Sequence, residues 1–209
     1  MAKAREPRAF VNVRNVGFAK IETMDGDETT YAPALLTRGI KSISSESSSE
    51  VKVAYADGLE IETGRNNGTR SMSLVMHEFP TEVSALLFNQ EPDENGVVAE
   101  KRNDTNSEVA TWFVHERKDG TYKLYIFPRV AFNEPNLEAQ QEEDDYEWTE
   151  ETSEGIAMYR LNDEVRRFVY DSKTATGKVE DVLKLVFGDA YDIAEIYKSI
   201  EKKELVPGV

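Results

Sequence analysis

Two histidines, forty acids and no cysteine bound the chemistry this chain can attempt. His77 and His115 lie far apart, and neither has a second ligand at a metal-type spacing. Each therefore reads as an ordinary structural histidine. Without cysteine there are no disulfides, thiolate metal sites or thiol nucleophiles. No P-loop, G-x-G-x-x-G, H-E-x-x-H or G-x-S-x-G signature occurs. Carboxylate pairs of the glycosidase kind can always be found among forty acids, so none is singled out. The expectation is a protein that is not an enzyme, with no catalytic residues, no metal and no cofactor.

Two clusters stand out instead. Ser44, Ser45, Glu46, Ser47, Ser48 and Ser49 form a hydroxyl-rich run with no partner base. It reads as the exposed tip of a hairpin, and such tips make contacts between subunits. From Glu134 to Glu154 there are ten acids and no base, crowded at Glu142, Glu143, Asp144 and Asp145. Calcium favours several oxygen ligands, but the run lacks the glycine and spacing of an EF-hand loop. A solvated acidic face is the expectation. Tyr146 and Trp148 alternate with Asp145, Glu147 and Thr149, so part of this stretch reads as a strand.

The balance of 25 bases against 40 acids gives a net charge of −15 and a pI near 4.7. Such a chain repels nucleic acid, because duplex binding depends on cationic contacts to phosphate. No apolar run is long enough for a transmembrane helix. The basic start around Lys3 and Arg5 is not followed by the apolar region of a secretory signal.

These clusters must be held by elements that the spacing defines. Val11, Val13, Val16, Phe18 and Ile21 alternate as a half-buried strand, with a bulge near Gly17 and a turn at Asp25-Gly26. Gly39 to Gly68 reads as a meander in which Val51, Val53 and Tyr55 alternate ahead of turns at Asp57-Gly58 and Asn66-Asn67-Gly68. Extended chain continues from Ser71 to Phe79. Pro80 to Phe88 carries the one short helix among the strands, with Val83, Leu86 and Leu87 on one face. An aromatic hairpin follows, Glu108 to Glu116 and Thr121 to Phe132, and Arg166 to Tyr170 is a further extended piece. Helical spacing then takes over at Val179, Val182, Leu183 and Val186, and again from Ile193 to Ile200. The fold class is mainly β within α+β, an antiparallel β-sandwich or open barrel with one packed short helix and a C-terminal helical segment. We divide it into an arm over 1–9, a β domain over 10–172, and a helical extension of the same domain over 173–209.

The order of these features resembles the major tail proteins (tail tube proteins) of siphophages that infect Gram-positive bacteria. The residues that carry the resemblance are Val11-Asn12-Val13-Arg14-Asn15-Val16, the serine-rich segment leading to Val51-Lys52-Val53-Ala54-Tyr55-Ala56-Asp57-Gly58, the Glu78-Phe79-Pro80-Thr81-Glu82-Val83 junction, and Tyr122 to Val130 running into the acidic stretch. It covers about residues 10 to 170. The resemblance implies hexameric rings stacked into a tube through which DNA passes without specific binding. The implied partners are the chain itself and the tape measure, tail terminator and distal tail proteins. The implied setting is the virion tail, assembled in the host cytoplasm without a membrane. On this reading Ser44 to Ser49 is a stacking loop, and Glu142, Glu143, Asp145 and Glu147 face the lumen. Repulsion of phosphate there acts across about one Debye length, roughly 8 Å. The helical C-terminal segment exceeds a minimal tail tube domain and would decorate the exterior or fasten neighbours. The alternatives are another tail or connector structural protein, or an acidic β-sandwich carbohydrate-binding module.

Overall fold

The computed structural model describes residues 9–56, 59–66, 68–99, 105–136 and 150–201, with 50–56 and 59–66 described as backbone. The strands are β1 (Phe10–Met24), β2 (Thr29–Tyr31), β3 (Leu35–Thr37), β4 (Ile40–Ser47), β5 (Glu50–Ala56), β6 (Leu59–Asn66), β7 (Arg70–Met76), β8 (Glu108–Arg117), β9 (Tyr122–Phe132), β10 (Glu151–Ala157) and β11 (Phe168–Asp171). The helices are α1 (Thr81–Phe88), α2 (Val179–Phe187) and α3 (Ala194–Glu201). The fold is mainly antiparallel β, as the alternation predicts. Among the described residues no helix is long and apolar enough to cross a membrane.

One sheet runs β2-β1-β8-β9-β10-β7-β4, with β3 also on β1 and β11 also on β9. Its curvature follows from connectivity. Arg38 and Gly39 alone separate β3, at the first edge, from β4, at the last. A flat sheet would set those edges about 29 Å apart, six strand spacings. The link from Thr37 to Ile40 reaches roughly 11 Å at most. The sheet must therefore curl into an open barrel.

The barrel interior is the first core. Phe18, Ile43, Met72, Leu74, Met76, Val109, Phe127, Val130 and Phe132 fill it from the strands, and Val83, Leu87 and Phe88 enter from α1. Pro80 stands at the N-cap of α1 rather than inside its first turn, and Asn89 closes the helix at φ 58°. Left-handed backbone is tolerated by asparagine better than by most residues.

The outer face of β1, β8 and β9 carries a second core. Trp112, Val114, Tyr122, Leu124 and Ile126 point there, covered by Val179, Leu183, Val186 and Phe187 of α2 and by Ile196 and Ile200 of α3. This is why β8 is buried on both faces. The C-terminal helices thus turn their apolar stripes onto their own sheet.

A bulge lets α3 dock. Register slips between Arg14 and Gly17, and Asn15 adopts φ 55°. Arg14 Nη1 then donates to Ile200 O at 3.0 Å, and Asn15 Nδ2 donates to Ser199 O. These donors tie β1 to carbonyls of the last described turn of α3.

Candidate functional site: an open serine face and a hairpin arm

Among the described residues the sheet is covered unevenly, and the part that none of them covers is the candidate site. On β7, Met72, Leu74 and Met76 point into the barrel, so Ser71, Ser73 and Val75 point away. On β10, Ser153, Gly155 and Ala157 are buried, while Thr152, Glu154 and Ile156 point away and are exposed. Register aligns these with β4. The rows are Ser42–Val75–Thr152, Ser44–Ser73–Glu154 and Glu46–Ser71–Ile156. Of these nine side chains five carry hydroxyls, two are acids, two are aliphatic, and none is basic or aromatic. Seven are exposed, and Ser73 and Val75 are half-buried.

Such a face is short-chained, polar and free of positive charge. It offers phosphate no cation to pair with and sugars no aromatic platform. Lys41, beside it on β4, is tied to Glu150 in an ion pair. Arg129 on β9 is held by Glu108 through two bonds of 2.9 and 2.8 Å.

The second feature is a ribbon that grows out of this face. β4 and β7 pair down to Ser47–Arg70, and β5 and β6 resume the ladder at Glu50–Asn66. Together they form one long hairpin whose outer half, β5–β6, pairs with no other strand among the described residues. Its 7-residue β5 extends about 23 Å at the usual strand rise.

The serine cluster lies at the boundary of these two parts. Ser44, Ser45, Glu46 and Ser47 are strand residues of β4, contrary to the expected loop, and only Ser48 and Ser49 lead to β5. Ser44 and Glu46 face outward, whereas Ser45 accepts a bond from Arg70 Nη1 at 3.1 Å. The ladder with β7 overrides the low strand preference of serine, because Ile43 is anchored in the core. Glu142, Glu143, Asp145 and Glu147 lie outside the described residues. Sequence reading missed β10 because Glu151, Glu154 and Gly155 dilute its alternation. The one usable sign was that Ser153, Gly155 and Ala157 are all small.

Among the described residues no acid–base constellation accompanies these features. His77 is exposed beside β7. His115 stacks on Phe10 at 4.0 Å, and burial together with Arg117 and Lys123 holds its pKa below the ordinary value. A groove of about 460 Å³ between α2 and α3 is lined in part by Glu180, Lys184, Tyr191 and Tyr197. The Tyr191 hydroxyl donates to Ala32 O at 2.7 Å, and burial raises its pKa to about 12, which suits a structural donor and not a base. Among the described residues no three His, Asp or Glu side chains are placed to hold a metal. No protein-family model and no curated protein sequence matches the chain.

Proposed function

We propose that this chain is a tail tube subunit of a phage with a long non-contractile tail. In this reading it polymerises as stacked rings, hexameric by the resemblance, with the open face of β4, β7 and β10 lining the DNA path. The observation that carries the reading is the cation-free hydroxyl face, which none of the described residues covers, on a sheet whose other outer face is sealed by α2 and α3. A conduit must let a polyanion slide, and any unpaired lysine or arginine on its wall would add a phosphate contact to be broken at each step.

The net charge of −15 acts in the same direction. Glu142, Glu143, Asp145 and Glu147 precede β10 in sequence and would extend an acidic lining. The partners would be further copies of the chain together with tape measure, tail terminator and distal tail proteins. The setting would be the virion tail, assembled in the host cytoplasm. A carbohydrate-binding module fits less well, since sugar sites need aromatic side chains beside a pocket and the open face has none.

Electron microscopy of the purified chain, concentrated alone and with a distal tail complex as initiator, tests the proposal. Tubes with a continuous bore are expected. A Ser73→Cys variant should lose reactivity toward a bulky maleimide on assembly, while Asp189→Cys retains it. A chain that stays monomeric with every initiator supplied, or tubes in which Ser73→Cys remains open to the reagent, would sink the corresponding part.

A further inference from the structure

The two ladders of the long hairpin do not meet in register. Between the pairs Ser47–Arg70 and Glu50–Asn66 the register slips by one residue. This imbalance is a bulge, which bends and twists a ribbon where it occurs. Ser48 N–H donates to Thr69 O at 3.1 Å, and the Ser48 hydroxyl lies 3.2 Å from the same oxygen. Gly68 passes so close that a Cβ on it would sit 2.5 Å from Ser48 Oγ and 2.6 Å from Ser48 O. Only glycine allows that approach.

A side chain from elsewhere reaches this bulge. Arg166, in the connection between β10 and β11, donates from Nη1 to Gly68 O at 2.7 Å. Its guanidinium lies 4.7 Å from the centre of the Tyr159 ring, in the same connection. A planar cation stacked on an aromatic face has little freedom to swing, so its hydrogen bond has a fixed direction. The brace therefore links the body of the barrel to the carbonyl at which the ribbon bends.

We infer that Arg166, braced on Tyr159, is a positioning residue that sets the angle at which the β5–β6 arm leaves the barrel. Through that angle it sets where the arm meets a neighbouring copy. The second half rests on the tail tube reading, whereas the first does not.

The absence of cysteine gives a clean test. Spin labels on Ala56→Cys in β5 and Asp189→Cys beyond α2 report the arm-to-body distance by pulsed electron resonance. A single narrow distance peak is expected in the otherwise native chain. Arg166→Ala should broaden and displace it, and Arg166→Lys, which restores a donor without the planar stack, should recover it in part. The Ser48 amide should exchange roughly tenfold faster in Arg166→Ala, while the core amide of Leu74 is unchanged.

An unchanged distance distribution in Arg166→Ala overturns the inference. Should that variant fail to fold, Tyr159→Leu carries the same expectation, and an unchanged peak there overturns it equally. Tube formation is scored separately. A displaced arm in a chain that never forms tubes removes the tail tube reading alone, and an unmoved arm in a tube-forming chain removes this inference alone.

Discussion

Gly17 lies against the indole of Trp112 so closely that a Cβ at Gly17 would stand 2.3 Å from Trp112 Cζ2 and 2.6 Å from Cε2. The two residues are register partners on β1 and β8, and the ring, fully buried, also meets Phe187 of α2 edge-on at 5.5 Å. Gly17→Ala must therefore push the indole into α2. We expect a loss of about 2–3 kcal/mol in urea unfolding, the usual cost of overpacking. Trp112→Phe frees room and removes an indole N–H buried without a hydrogen-bond partner. In the double variant the Gly17→Ala penalty should shrink, and strict additivity would count against this account.

Arg160 binds four parts of the fold at once. It donates to Val186 O at the end of α2 at 2.6 Å, pairs with Asp163, approaches the Tyr31 hydroxyl at 3.5 Å and lies over Phe168 at 5.4 Å. With 4% of its side chain exposed, truncation strands a carboxylate and a helix-end carbonyl. Arg160→Ala should cost about 3–5 kcal/mol, with near-ultraviolet dichroism of the Trp112 region changing first. A loss below 1 kcal/mol in thermal or urea unfolding would refute the role.

Asn15 tests the bulge under α3. At φ 55° a β-branched side chain is strained, so Asn15→Val should destabilise by about 1–2 kcal/mol, while Asn15→Gly keeps the backbone and loses only the bond to Ser199 O. Amide exchange in α3 should rise for both, and more for valine.

Acid should weaken the fold in two windows. Hydrogen bonds from Arg117, at 2.9 and 2.7 Å, hold Asp171 below the usual carboxylate pKa, and Arg160 does the same for Asp163. Lowered carboxyl values mean stabilisation that is complete above about pH 4 and lost as pH falls through the folded values. His115 is also lowered, by burial first and then by Arg117 and Lys123. Its contribution is full above about pH 6.5 and declines below it. Urea midpoints should thus drop as pH falls below about 6.5 and again as it falls below about 4. His115→Gln should flatten the first step alone.

If the open face lines a DNA path, cations placed on it should turn it into a binding surface. Ser73→Arg with Glu154→Lys puts two adjacent positive charges on registered positions of β7 and β10. Assembled protein should then retain short duplex DNA, with a salt dependence steeper by about 0.9 per added phosphate contact. The same charges placed at Lys184 neighbours on α2, as Asp181→Lys and Leu185→Lys, should have little effect. Equal retention by both pairs would argue against a lumenal role for the serine face.

The strands with aromatic or β-branched alternation were legible in sequence. β1 with its bulge near Gly17, the β8–β9 hairpin and α1–α3 all lie where spacing places them. What escaped is instructive. Ser44 to Ser47 looks like a tip because serine competes for backbone hydrogen bonds, but four residues in register with β7 decide the matter. β10 hid among acids because one of its faces is open to water and the other needs only small side chains. The open face itself had no sequence signature, since it consists of every second residue on three strands that are distant in the chain. The brace at Gly68 was equally invisible, because Arg166 is 98 positions away.

The two-residue link from β3 to β4 has a consequence for how the chain reaches this state. The β4–β7 hairpin is closed by local contacts, whereas β1 meets β8 across about a hundred residues. Loop-closure entropy favours the local ribbon first and the long-range ladder last. Because Arg38 and Gly39 tether the early hairpin to β3, zipping β3 onto β1 brings the far edge of the sheet with it. The two edges of the sheet are then brought close together in a single late step, which shortens the time a flat sheet with widely separated edges is open to other chains.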